Sequence, residues 1–146
     1  MNTMFELDLQ KAVYLALNDV ISAPVYDHVP QNTPYPYVVI GEDNFVDWST
    51  DDKNGFEATV NIHVWHRPEG DSGSRGRSVV KVIQGEIYGI LQRSSFDIGA
   101  YGNPGMSYEY SDCFLDTDGT TYHGVQRFRD NFAEKNEFIL GQCQGV

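Results

Sequence analysis

The stretch Phe56-Glu57-Ala58-Thr59-Val60-Asn61-Ile62-His63-Val64-Trp65 places Phe56, Ala58, Val60, Ile62 and Val64 at every second position. Polar or amphipathic residues fill the positions between them. A period of two predicts a β-strand with one face against a core. Upstream, Tyr37-Val38-Val39-Ile40-Gly41 is rich in β-branched residues and reads as a second strand, buried on both faces. The intervening chain, Glu42 to Gly55, is polar and acidic and is broken only by Phe45, Val46 and Trp48. That composition predicts a long hairpin arm or loop rather than a core strand.

Farther upstream, Leu9, Ala12, Val13, Ala16, Leu17 and Val20 fall at helical spacing, predicting an amphipathic helix from Phe5 to about Val20. Pro24 stops it, Val25-Tyr26 reads as a short extended piece, and the prolines between Pro30 and Pro36 make an ordered loop. Downstream, Pro68 to Gly76 is a Gly/Ser-rich flexible connector. A second helix follows from Ser74 or Ser78 to Gln92, with Val79, Val80, Val82, Ile83, Ile87, Ile90 and Leu91 on its apolar face. Gly85 and Gly89 weaken it by roughly 1 kcal/mol each relative to alanine, unless another backbone packs against them. Ser107 to Leu115 is a strand, Asp118-Gly119 a tight turn favouring positive φ, and Thr120 to about Asp130 the returning strand. The order predicts an α+β domain spanning 1–146, an antiparallel or mixed β-sheet with two amphipathic helices packed on one face and a long hairpin arm. No element is read for 133–146.

A chain of 146 residues with 40% apolar content fits one globular domain. No apolar run approaches the ~18–20 residues of a membrane span. The start, Met1-Asn2-Thr3-Met4-Phe5-Glu6-Leu7-Asp8, has neither the basic region nor the apolar region of a secretory signal, so synthesis and retention in a cytoplasm are expected. The net charge of −11 gives the wrong sign for gripping DNA, although it suits a wall past which DNA slides. Cys113 and Cys143 read as two free thiols.

Motifs that suggest chemistry fail on inspection. His63 and His66 lie three apart on a strand and point to opposite faces, while His28 and His123 lack partners at ligand spacing, so no metal site is expected. Aligning Asp116-Thr117-Asp118-Gly119 with a calcium loop puts Phe114 and Val125 at the terminal ligand positions. Gly70-Asp71-Ser72-Gly73 continues with Ser74 where a nucleophile elbow or serine-protease motif needs glycine. No Gly-Lys-Ser/Thr closes the glycine run into a phosphate loop, although Arg75 and Arg77 stand at a helix entrance. The carboxylates gather between Glu42 and Asp52 instead of ending strands around a pocket. No catalytic residue and no cofactor are assigned.

Aromatic residues carry more information. Tyr35, Tyr37, Phe45, Trp48, Trp65, Tyr108, Tyr110 and Tyr122 fall in loops or strands where some must be exposed, as at protein interfaces. Phe45 and Trp48, among Asp47, Asp51 and Asp52 on the acidic arm, are the candidate contact to a neighbouring subunit or partner.

The chain resembles the tail completion (tail-terminator, tail-to-head joining) proteins of long-tailed phages. The likeness runs through Ala16-Leu17, Val25-Tyr26-Asp27, Pro34-Tyr35-Pro36-Tyr37-Val38-Val39-Ile40-Gly41, Ser49-Thr50-Asp51-Asp52 and Ile62-His63-Val64-Trp65. It ends in Asp116-Thr117-Asp118-Gly119-Thr120-Thr121-Tyr122-His123-Gly124-Val125-Gln126-Arg127-Phe128-Arg129. His66 stands where serine commonly follows the tryptophan, and nothing after Asn131 matches. The resemblance implies a non-enzymatic virion subunit, a hexameric ring capping the tail tube and meeting the head connector, with DNA passing through unbound and no membrane partner. Another tube or connector subunit is the alternative within the virion, and a small hydrolase or ligand-binding domain the alternative outside it.

Overall fold

A computed structural model describes residues 5–68, 76–96, 98, 101–103 and 105–135. Helix α1 spans Phe5–Leu17 and is followed by β1 (Val25–Tyr26), β2 (Tyr37–Asp47) and β3 (Gly55–His66). Helix α2 spans Gly76–Leu91 and precedes β4 (Tyr101–Gly102), β5 (Ser107–Leu115) and β6 (Tyr122–Glu134). The strands form one six-stranded sheet in the order β1-β2-β3-β6-β4, with β5 also paired to β6. Among the described strands only the β1–β2 pair is parallel, so the sheet is mixed. The α+β fold with two helices on one face is as the sequence predicts.

Packing follows the two periodicities. Leu9, Val13 and Leu17 recur every fourth residue on α1, and Val80, Ile83, Ile87 and Leu91 line α2. They meet Val38, Ile40, Phe56, Ala58, Val60, Ile62, Val64, Phe128 and Phe132 from the inner face of the sheet in a single core. Each large apolar side chain buried there stabilises the fold by about 1.5–3 kcal/mol relative to exposure. Gly124 lets α2 settle onto β6, because a Cβ at that position would stand 2.6 Å from both Val80 Cγ1 and Gln84 Nε2.

The structure corrects several boundaries. Helix α1 stops at Leu17, where Asp19 takes a φ of 63°, and Val20 is left exposed instead of joining the apolar stripe. The strand at Tyr37 is buried on one face only; Val38 and Ile40 point to the core while Tyr37 and Val39 stay half-buried, since both described helices lie on the other face of the sheet. Strand β2 continues through Glu42 to Asp47, paired residue for residue with β3 after a bulge between Ile40 and Asp43. The polar composition there reflects solvent on the side chains, while β3 satisfies the backbone. The returning strand runs on to Glu134. Most of the Gly/Ser connector, Cys143 and the segment 136–146 lie outside the described residues.

Candidate functional site

Hairpin β2–β3 closes through a turn from Trp48 to Asn54 that is held at both ends. The Trp48 amide donates to the Gly55 carbonyl at 3.0 Å and the Thr50 amide to the Lys53 carbonyl at 2.9 Å. Ser49 Oγ donates to Asp47 Oδ1 at 2.6 Å and receives the Gly55 amide at 3.0 Å, while Thr50 Oγ1 donates to Asp52 Oδ1 at 3.0 Å. The turn is also laced to the end of β6. The Glu134 amide reaches the Asn54 carbonyl at 3.0 Å, and Glu134 Oε1 receives the Asn54 amide at 2.7 Å. The acidic arm of the sequence reading is therefore a short tip fixed to the sheet end.

The structure separates the residues proposed on that tip. Phe45 faces the helix side and is half-buried, its ring 5.6 Å from that of Phe56. Trp48 stands out at 52% exposure. Asp47, Asp51 and Asp52 surround it, all exposed.

A second exposed element is β5. It pairs with β6 along one edge, and along most of its length both its faces are open. Tyr108 and Leu115 are exposed toward the helix side, Tyr110 and Phe114 toward the other. Between β5 and α2 runs an open groove of about 520 Å³. Gln126 lies at its base, 1% exposed, its Nε2 donating to the Gln84 carbonyl at 3.1 Å while Oε1 has no hydrogen-bond partner among the described residues. Gln84 Nε2 in turn donates to the Asp112 carbonyl at 3.2 Å. Burial pushes the nearby Cys113 thiol up from its ordinary pKa, against the pull of Arg77 and Lys81.

On the uncovered sheet face the β3–β6 register, which sets His63 opposite Val125 and Trp65 opposite His123, gathers a cluster the sequence reading did not foresee. His63 Nδ1 lies 2.7 Å from His123 Nε2, and His63 Nε2 lies 3.1 Å from Glu42 Oε1. Trp65 stacks on the His123 ring with centroids 3.7 Å apart. Burial first, then the His63 charge, hold the His123 pKa below its ordinary value. A backbone hydrogen bond lowers that of Glu42, helped by His63. The two imidazoles spend their facing nitrogens on each other, and among the described residues no group of three or more His, Cys, Asp and Glu is placed to hold a metal ion. No described helix is long and apolar enough to cross a membrane.

At the opposite end of β3 from the tip, Asp118 organises the β5–β6 turn. Its Oδ1 receives the amides of Thr120 and Thr121 at 2.9 and 2.8 Å, and its Oδ2 receives Thr121 Oγ1 at 2.6 Å and Arg67 Nη2 at 3.1 Å. These donors hold its pKa well below the usual carboxylate range.

The family described as tail completion protein gp17 matches residues 11–130. The tail completion protein gp17 of Bacillus phage SPP1 is 25% identical over 127 residues, covering 87% of this chain and 86% of that protein. A chain from the virion of a native gene transfer agent particle shares the fold, with a TM-score of 0.75 at 19% identity over 90% of this chain and 99% of its own.

Proposed function

This chain belongs to the tail completion protein gp17 family, non-enzymatic structural proteins of the phage virion tail, and on that premise we propose that it forms a closed ring, a hexamer on the family's pattern, that caps the tail tube and joins it to the head connector. The observation that carries the reading is the family match from residue 11 to 130, which runs from within α1 through most of β6.

Two features of the surface support it. A closed ring of identical subunits uses heterologous contacts, in which two different patches of one chain meet. The fixed acidic tip with Trp48 and the open flank of β5 are two such patches, on different parts of the molecule. Trp48, Asp47, Asp51 and Asp52 make the tip's contact with a neighbouring subunit, and Phe45 holds the tip in place by its packing on Phe56. The net charge of −11 suits a passage through which DNA moves without being held.

The test is the mass of the purified protein by native mass spectrometry or light scattering, alone and with tail tubes. A hexamer, or a monomer that assembles as one ring on a tube end, is the expected result. A chain that stays monomeric and leaves tubes uncapped would contradict it.

A further inference from the structure

We propose that the groove between α2 and β5 is the receptor for the β2–β3 tip of a second copy of this chain, with Trp48 inserted beside Gln126. The inference rests on the ring reading and names the two surfaces that build the ring.

The base of the groove lacks a donor. Gln126 is 1% exposed, and the Gln84 carbonyl fixes its amide orientation, because that acceptor must face Nε2 at 3.1 Å. Oε1 is then a buried acceptor with no partner among the described residues, a state that costs the full desolvation of the group. An indole N–H donates and accepts nothing, so Trp48 supplies what Oε1 lacks once docking shifts the groove-lining side chains that cover this atom in the free chain. The walls suit the ring as well, since Tyr88 and Tyr108 face each other edge-on at 5.2 Å beside the groove.

Charge favours the same partner. Lys81 lines the groove, with Arg77 one turn earlier on α2, while Asp47, Asp51 and Asp52 surround Trp48. Asp112 lines the groove with the opposite sign; its Oδ1 already receives the Cys113 amide at 2.9 Å. Gly85 adds a third observation. A Cβ there would meet nothing within 4 Å, so the absent side chain serves no packing within the chain and leaves the groove open. Tip and groove are different surfaces, so each copy gives one and receives one, the pattern that closes a ring.

The experiment compares assembly of the full-length parent, Gly85→Leu, Lys81→Glu, Asp51→Lys/Asp52→Lys and the combination of the two charge reversals, by light scattering with and without tail tubes. Thermal melts confirm that each variant is folded. Gly85→Leu fills the groove on an exposed helix position and is expected to fold yet not assemble. Each charge reversal is expected to raise the concentration needed for assembly by about tenfold, and the combination to restore it to within about threefold of the parent, the non-additivity of groups in contact. A parent that assembles while Gly85→Leu assembles equally well, or while the combined reversals are no better than the single ones, overturns the docking and leaves the ring standing. A parent that never assembles overturns both.

Discussion

His63 Nδ1 and His123 Nε2 meet at 2.7 Å across β3 and β6, so one proton, not two, lies between the rings. Protonating both would set two cations against each other on a half-covered sheet face. Burial first, then the His63 charge, keep the His123 pKa below its ordinary value. A histidine with a depressed folded-state pKa favours the neutral form. Its stabilisation is full above the unfolded value near ~6.5 and is lost as pH falls through the folded value. Acidification from about pH 7.5 to 5.5 should therefore lower the urea midpoint of the parent relative to that of a variant lacking this histidine, with the opposite contribution of Asp130 common to both. His123→Phe, which keeps a ring against Trp65, is that variant, and its midpoint should fall less, or rise more, than the parent's over the same window. Equal slopes for the two proteins would show that His123 does not drive the dependence.

That pair illustrates what the sequence could and could not reveal. The alternation from Phe56 to Trp65 and the Asp118-Gly119 turn fixed β3, β5 and β6 because both signals are local. Position 123 comes to lie beside 63 only once β3 and β6 are paired in register, and no spacing rule along the chain predicts that. The polar run Glu42 to Asp47 reads as a hairpin arm or loop, and it is the exposed limb of the β2–β3 hairpin. It is a strand because β3 offers its backbone partners, whereas its side chains face water and carry no apolar alternation. Gln126 and Asp130, buried on the inner face of β6, were equally hidden, since a polar letter in a strand gives no hint of which side it faces. Of the two aromatics the sequence offers on the tip, Trp48 is exposed and Phe45 is half-buried, a difference that composition alone does not carry.

Gly89 offers a direct check on α2. A Cβ at this exposed mid-helix position would meet nothing within 4 Å. No backbone approach explains the glycine, so its backbone freedom in the unfolded chain weighs against the helix without any packing return. Gly89→Ala should raise the unfolding free energy by about 0.5–1 kcal/mol, read from urea denaturation. A loss of stability would mean that an approach of chain to this face matters in the folded monomer.

Gly124 predicts the opposite sign for the same substitution. The added methyl would stand 2.6 Å from Val80 Cγ1, and Val80 is wholly buried with no space to retreat. Helix α2 would have to lift from β6. Gly124→Ala should lower stability by about 1–3 kcal/mol, the usual range for overpacking a close contact. Gly89→Ala and Gly124→Ala measured side by side test whether α2 seats on the sheet as described.

Asp130 gives the sharpest pH test, because its shift runs the other way from that of His123. It is 2% exposed on β6; the Asn131 amide donates to Oδ1 at 2.8 Å, while Oδ2 has no hydrogen-bond partner among the described residues. Burial pushes its pKa up from 3.8 to about 6, against the pull of the Asn131 and Gly105 backbone amides. A raised folded-state pKa means that the fold prefers the protonated acid. The penalty is absent below the unfolded value, grows as pH rises toward about 6, and is complete above it. Over that span the parent should lose stability on the order of 1–3 kcal/mol from this group alone. Asp130→Asn removes the charge at nearly constant shape. It should melt higher than the parent at pH 8, and the difference should shrink to near zero by about pH 4, where the parent is itself protonated. A parent more stable than Asp130→Asn at pH 8 would mean that the carboxylate is held as an anion by a donor, and that β6 meets the loop around Gly105 differently from the geometry described.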